Sequence, residues 1–268
     1  MKTMTAILCF LLALTAITMA ACSKPKAEEP TPDVTVLAKD MLDNLNQIDA
    51  VMAEKITASA NKFGTEDEIR KLLAEALQAH PIVLTSCYVD TKGILKYLEP
   101  AHYQDSEGVD ISKQAHTIAM LENPAPTFST AFKAVEGFAT VAIARPLYDA
   151  NQKFAGSLVL TLDTSVLPKL VLDKNAVPAG YELWAMETDG MIVCDQDKVE
   201  IGLNVFTDPM YENFESLKSL AKSIVASPQG EGEYSFKATG SQVEVAKKAV
   251  WDTINIHGRE WRVVLVAS

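Results

Sequence analysis

The sequence contains the same pattern of elements twice, and this internal repeat constrains the fold more than any other feature. The first copy, IVLTSCYVDTKGILKYLEP, has two strand-like apolar runs on either side of a Lys92-Gly93 turn, a pattern typical of a β-hairpin. The second copy, YELWAMETDGMIVCDQD, has the same form around Asp189-Gly190. The two halves align best with Gly93 on Gly190. The repeat therefore predicts two similar modules in tandem.

In each half, a predicted helix and a set of longer strands follow the hairpin. The first half continues with a short helix near Ile111 to Leu121 and two long strands joined around Asp149 to Lys153. The second half continues with a helix from Asn213 to Ala226 and three further strands, which end at the C-terminus. This order predicts an α+β fold in which both sheets are antiparallel.

A long amphipathic helix is predicted before the first hairpin. Apolar residues recur at steps of three or four from Val36 to Phe63, and Gly64 ends the pattern. Thr65 and Glu68 form a capping-box pattern that begins a second helix. The spacing in the long helix suits packing on both modules or a helix-helix seam with a partner, and packing on both modules is favoured.

The first 33 residues have the pattern of an export signal followed by a tether. Lys2 precedes a short apolar run, and Met19-Ala20-Ala21-Cys22 resembles the lipobox of bacterial lipoprotein signals. We expect residues 1–21 to be a signal peptide and Cys22 to carry the lipid that anchors the chain to a membrane. The alternative is an ordinary secretory signal with a cysteine near its cleavage site by chance. Residues 22–33 are charged and proline-rich, which is typical of an extended tether. The rest of the chain is expected to lie outside the cytoplasm, at the periplasmic face or the cell surface.

Composition and motifs exclude several classes of function. The formal net charge of −11 makes nucleic acid an unlikely partner. The four histidines are scattered without zinc-site spacing, and neither a Gly-x-Ser-x-Gly elbow nor a phosphate-binding glycine loop is present. We expect no catalytic activity, no metal and no cofactor. Cys87 and Cys194 lie in apolar strand-like runs, which favours two buried free thiols over a disulfide.

The order of these pieces, from about Val34 to Val266, resembles the double Cache extracellular sensor domains. The most specific segments are ENPAPTFSTAFKAVEGFATVAIARPLYDANQKFAGSLVLTLD and TDGMIVCDQDKVEIGLNVFTDPMY. The resemblance implies a long N-terminal helix, residues 34–64, followed by two PAS-like modules. The membrane-distal module would span residues 65–168 and the membrane-proximal module residues 169–268.

The resemblance also implies where a ligand would bind, namely between the sheet, the short helix and the loops of the first module. Members that bind amino acids carry an Arg-x-Trp-Tyr stretch and a Tyr-x-Asp pair there. This sequence has Gln114, His116 and Thr117 in place of the first, and Phe132 and Ala134 in place of the second. An α-amino acid is therefore not the expected ligand, because the groups that hold its carboxylate and ammonium are missing.

Ten residues of the first module are candidate ligand contacts: Tyr88, Tyr103, His116, Phe128, Ser129, Phe132, Glu136, Arg145, Thr161 and Asp163. Each has a structural alternative. The aromatic residues suit core packing equally well, His116 suits a solvent-facing position, and the hydroxyls of Ser129 and Thr161 suit local backbone bonding. The charges of Glu136, Arg145 and Asp163 either contact a ligand, pair with other groups or point outward.

These observations predict a lipid-anchored sensor domain that binds a small, anionic or weakly polar metabolite such as an organic acid. It would pass its bound state to a separate receptor or transporter. The alternative is a structural or interaction lipoprotein that binds no ligand and uses the long helix for dimerisation or docking. For the second module, no chemistry is expected: Asp189-Gly190 and Asp208-Pro209 shape turns, and the three tryptophans are core.

Overall fold

The computed structural model describes residues 31–59, 63–238 and 241–267. The predicted signal peptide and Cys22 lie outside the described residues, as does most of the tether. Within these ranges the α-helices are α1 (Val34–Ala58), α2 (Glu66–Leu77), α3 (Ala115–Glu122), α4 (Leu167–Lys174) and α5 (Glu215–Ala226). Two 3-10 helices, Ala101–Ser106 and Pro209–Tyr211, precede α3 and α5 respectively.

The first module contains an antiparallel sheet of six strands. They are β1 (Val83–Val89), β2 (Leu95–Glu99), β3 (Thr127–Phe128), β4 (Phe132–Lys133), β5 (Ala139–Tyr148) and β6 (Phe154–Leu162). The strand order is β2-β1-β6-β5-β3, and β4 also pairs with β5. The long β5-β6 pair forms the centre of the sheet and fixes the positions of the shorter strands.

The second module contains an antiparallel sheet of five strands. They are β7 (Tyr181–Glu187), β8 (Ile192–Cys194), β9 (Gly230–Lys237), β10 (Glu244–Ile256) and β11 (Arg259–Ala267). The strand order is β8-β7-β11-β10-β9, which repeats the order of the first sheet. The predicted α+β fold with two tandem antiparallel modules is confirmed.

The two aligned glycines occupy equivalent turns. Gly93 has φ +81° and donates its N–H to the carbonyl of Asp90, while Gly190 has φ +92° and donates to Glu187. A Cβ on Gly93 would lie 2.7 Å from Ser112, and one on Gly190 would lie 2.5 Å from the Phe206 ring. Both turns therefore require glycine for its backbone conformation and for its lack of a side chain.

Helix α1 packs against both modules. Its side chains Met41, Leu45, Ile48 and Met52 are fully buried in one core that also contains residues of both sheets. The predicted packing of the helix on both modules is confirmed. The helix ends at Ala58, before the predicted end at Phe63, whereas the capping box that begins α2 at Thr65 is present as predicted.

Candidate functional site

The first module has a small cavity at the place where the resemblance predicts a ligand. It lies between the sheet, α3 and the segment around β4, and its volume is about 20 Å³. Gln114, His116, Phe132 and Ala134, the residues at the family's binding positions, line it. The His116 and Phe132 rings pack with centroids 4.6 Å apart. This space suits about one water molecule and no metabolite.

Four of the ten candidate residues line this cavity: His116, Phe132, Glu136 and Thr161. The hydroxyls of Thr161 and Thr85 are 2.6 Å apart, and Thr85 donates to the Glu136 carboxylate at 3.4 Å. Burial raises the pKa of Glu136 and lowers the pKa of His116 to about 4. His116 is 9% exposed and does not face solvent. Of the polar residues that line this cavity, His116 and Thr161 are thus buried, and Gln114 and Glu136 are half-buried.

The aromatic and hydroxyl candidates that do not line the cavity have structural contacts. Tyr88 is on the other face of β1, where its hydroxyl donates to the Ala155 carbonyl at 2.6 Å. Phe128 packs on Trp261 at 5.0 Å, and Tyr103 packs on Phe138 at 5.7 Å. Ser129 bonds only nearby backbone, accepting from Ala142 N–H at 2.8 Å and donating to the Thr130 carbonyl. Successive side chains of a strand point to opposite faces of the sheet. Tyr88 therefore points away from the cavity that its neighbour Cys87 faces.

Two of the charged candidates form ion pairs elsewhere in the fold. Arg145 donates two hydrogen bonds to Asp49 of α1, at 2.6 and 2.7 Å, and His257 Nε2 lies 3.1 Å from the same carboxylate. Asp163 pairs with Lys198 at 2.6 Å. The bonds from Lys198 and Ser165 lower the pKa of Asp163, outweighing its burial, which acts in the opposite direction. These two charges connect elements instead of facing the first cavity.

A much larger cavity, about 340 Å³, lies in the second module at the equivalent position. Strands β7, β9 and β10 form its floor, and the segment after β8 and the first turn of α5 cover it. Its aromatic walls are Trp184, Tyr211, Tyr234 and Phe236. This volume is at the lower end of the range for small-molecule sites, and aromatic walls with a few polar groups are typical of such sites.

The floor of the second cavity carries a buried ion pair. Lys247 of β10 has a side chain only 3% exposed, and its ammonium pairs with Glu182 of β7. Lys237 of β9 lines the cavity as well and lies over the Phe214 ring at 6.0 Å.

The cover of the second cavity is acidic. Asp195 accepts the N–H of Asp197 at 2.7 Å, and Glu200 accepts the hydroxyl of Tyr211 at 2.8 Å. Burial raises the pKa of both Asp195 and Glu200, and each is raised further by neighbouring carboxylates. The charge of Lys247 partly offsets this effect at Glu200, whereas no ion pair of the described residues includes Asp195.

The sequence analysis assigned no chemistry to the second module, so it missed this cavity. Trp184 belongs to the hydrophobic core, as expected, and its side chain also lines the cavity wall. One signal was available: Lys247 interrupts a run of strand residues whose inward positions are otherwise apolar, and Asp195 directly follows the buried Cys194. Only the tertiary structure shows that these two positions face the same space.

Both thiols are buried and free, as predicted. Cys87 lies in the first module and Cys194 in the second. Burial raises the pKa of each thiol, so both remain protonated at neutral pH. Among the residues that the structure describes, no cluster of three or more His, Cys, Asp or Glu side chains is arranged to hold a metal ion.

Comparison with known proteins identifies the class of this fold. Residues 42–164 match the family model described as the sensor domain of HK/GC/chemotaxis-like proteins. An extracellular ligand binding receptor from Desulfohalobium retbaense DSM5692 superposes with a TM-score of 0.67 at 23% identity, over 88% of this chain. The chain spans 40% of the length of that receptor.

Two complexes of chemoreceptor domains have the same fold. The ligand binding domain of the Pseudomonas aeruginosa PAO1 amino acid chemoreceptor PctC, in complex with GABA, has a TM-score of 0.59 and 13% identity, covering 87% of this chain and 95% of that one. The PctB domain from the same organism, in complex with L-Gln, has a TM-score of 0.57 and 15% identity, covering 87% and 89%. No curated protein matches this chain in sequence.

The chain thus has the Cache-like fold of extracellular ligand-binding sensor domains, and the predicted resemblance is confirmed. Within the described ranges, every helix is too short or too polar to cross a membrane.

Proposed function

We propose that this protein is a lipid-anchored sensor domain that binds a small molecule in the cavity of its second module. The observation that carries the proposal is the 340 Å³ space between β7, β9, β10 and their cover, with aromatic walls and several polar groups. The lipid anchor rests on the sequence around Cys22.

The ligand expected from the sequence, an organic acid, has little support from the contacts. A carboxylate needs a cation or a set of free donors in the site. In the first module, Arg145 is already held by both oxygens of Asp49. In the second cavity, Lys247 is paired with Glu182, and Lys237 lies over the Phe214 ring. Asp195 and Glu200 would repel an anion there.

We infer that the bound state is read by a separate receptor or transporter. A ligand biases such a partner only if it binds two states of the complex with different affinity. The segment 195–211 covers the cavity and lies at the surface of the second module, so its arrangement would differ between the empty and filled states.

An interaction protein without a ligand is the second candidate, and the closed first module is the observation that favours it. A cavity of about 20 Å³ cannot hold a metabolite. Dimerisation through α1 has less support, because the apolar side chains Met41, Leu45 and Ile48 are already buried within this chain.

A ligand screen with two cavity variants tests the proposal. The purified mature chain is screened by thermal shift against amines, amino acids, organic acids and purines, and binders are titrated by calorimetry. At a hundred times its dissociation constant, a ligand should stabilise the protein by about 2.7 kcal/mol. Val205→Phe, which fills the second cavity, should abolish this effect, whereas Cys87→Val in the first cavity should leave it unchanged.

The variants also separate the two candidate functions. Should Val205→Phe not fold, Ala238→Phe fills the same cavity from a less buried position. Binding lost in Cys87→Val and retained in the filled second module would contradict the proposed site. No binder in the whole library would favour the interaction protein.

A further inference from the structure

We propose that the second cavity selects a small organic cation, an amine whose ammonium group lies between Asp195 and Glu200. This inference rests on the proposed function and adds the chemical class of the ligand. Both carboxyl groups line the cavity together with the ring of Tyr234. An ammonium group supplies the positive charge and the N–H donors that this arrangement lacks.

Asp195 is the first observation that points to a cation. Its carboxylate accepts one backbone N–H, from Asp197 at 2.7 Å, and no described lysine, arginine or histidine forms an ion pair with it. Glu200 accepts one hydroxyl, from Tyr211. A carboxylate of this kind accepts several hydrogen bonds, so unused acceptor positions remain in the cavity. Two lysines line the cavity: Lys247 is engaged by Glu182, and Lys237 lies over the Phe214 ring.

Tyr234 is the second observation, because its ring is an aromatic wall of the same cavity. The residue is 6% exposed, and the Trp184 side chain donates to its hydroxyl oxygen. Asp195 and Glu200 are close enough to raise the pKa of Tyr234 beyond the effect of burial. Because the face of an aromatic ring attracts a cation, this wall favours an ammonium group beside the two carboxyl groups.

The walls suit the rest of an amine. Trp184, Tyr234 and Phe236 present aromatic surface to the same space. Aromatic faces attract cations and also pack well against short apolar chains. An anion would be repelled by the two carboxyl groups, and a neutral molecule would not compensate their charge. A cation interacts favourably with both the carboxyl groups and the aromatic rings, so it is the ligand class that this cavity favours.

The charges of the cavity give the binding a definite pH dependence. Besides Asp195 and Glu200, the titratable groups that face the cavity are Glu182, Asp197, Lys237, Lys247, Tyr211 and Tyr234. Burial raises the pKa of Asp195 and Glu200, so the empty cavity retains protons to a higher pH than exposed carboxyl groups would. An ammonium group displaces these protons. Affinity therefore increases as the pH rises through the raised pKa values, and binding releases protons.

Calorimetry with charged and uncharged probes of the same shape tests the inference. The mature chain is titrated with phenethylamine, choline and putrescine, each beside its neutral counterpart: phenethyl alcohol, dimethylbutanol and butanediol. Hydrocinnamate serves as the anion. At least one amine should bind ten times more tightly than its neutral counterpart, and its affinity should fall on acidification. Titrations in two buffers of different ionisation enthalpy should show that binding releases protons.

Three isosteric variants locate the charge that matters. Asp195→Asn and Glu200→Gln should each weaken the amine at least tenfold and leave the neutral probe unchanged. Glu136→Gln, the same change at the buried carboxyl of the first cavity, is the matched control and should have no effect. Removing like charge from the cavity cover does not threaten folding, and equal melting temperatures or higher ones would confirm this.

The outcomes separate this inference from the proposed function. If a neutral or anionic probe binds in the second cavity better than every amine, the inference of a cationic ligand is contradicted, whereas the proposed sensor function is retained. If amines bind but Asp195→Asn and Glu200→Gln bind them as tightly as the original protein, the assigned carboxyl groups are wrong. If no probe and no library compound binds, both the inference and the proposed function fail.

Discussion

The two modules have the same strand order and the same hairpin turn, but their cavities differ in size. The cavity of the first module has a volume of about 20 Å³, and that of the second about 340 Å³. The first cavity is filled by the rings of His116 and Phe132 and by the side chains of Cys87 and Val159. In the second module, an ion pair and long aromatic side chains line the equivalent space. The backbone architecture therefore sets the position of a cavity, and the side chains determine whether it is open.

The polar groups of the two cavities differ in the same way. In the first, Thr85, Thr161 and Glu136 bond one another. In the second, Asp195 accepts one backbone N–H and retains further acceptor capacity. Buried polar groups that are satisfied specify a core, whereas unsatisfied ones require water or a ligand.

The largest expected effect compares the stability contributions of α3, beside the first cavity, and α5, beside the second. Met120 of α3 is 2% exposed in the closed module, and Leu217 of α5 is 4% exposed but lines the open cavity. Truncation removes packing in proportion to the contacts that a side chain makes. We expect Met120→Ala to lower the free energy of unfolding by about 3 kcal/mol and Leu217→Ala by about 2 kcal/mol. Urea unfolding of the mature chain measures both.

The comparison depends on which of the two variants loses more free energy of unfolding. The original protein and both variants should have the same urea m-value, so that midpoints compare directly. A larger loss for Leu217→Ala than for Met120→Ala would mean that the second module is as tightly packed as the first.

A smaller effect is the pH dependence that His116 gives to the closed module. Its pKa is lowered from 6.5 to about 4 by burial. Between these values the unfolded chain binds more protons than the folded one, so stability is full above pH 6.5 and decreases as the pH falls toward 4. The loss amounts to at most about 3 kcal/mol. Buried carboxyl groups such as Glu136 and Glu200 act in the opposite direction, because burial raises their pKa.

A variant isolates the contribution of His116 from these opposing groups. His116→Gln keeps a polar side chain of similar size and does not titrate. The difference in unfolding free energy between the original protein and His116→Gln should change with pH between 6.5 and 4, and it should be constant above 7. An unchanged difference across the whole range would show that His116 is accessible to protons in the folded state.

Much of the fold could be predicted from the sequence because its signals are local. Glycine at the hairpin turns, the capping box at Thr65 and the apolar spacing of α1 each depend on a few neighbouring residues. The internal repeat then implied two similar sheets. The short strands β3 and β4 and the helix α4 were missed, since two to eight residues carry little periodic signal.

The site was harder to predict, because it depends on which side chains face one another across a module. His116 and Phe132, at the family positions, line a cavity, but the sequence does not reveal that these two rings fill the space they surround. Arg145 was a reasonable ligand contact until the fold placed Asp49, 96 positions away in the chain, within 2.6 Å of it. The acidic cover of the second cavity is likewise formed by tertiary contacts.

Hydrogen exchange with and without the best binder from the screen tests the central claim most directly. The account predicts protection in the segment 195–211, which covers the second cavity, and in the neighbouring residues of α5 and β9. Exchange in α3 and in the segment around β4 should remain unchanged. Protection confined to α3 and residues 128–138 would place the ligand in the first module and would contradict the account.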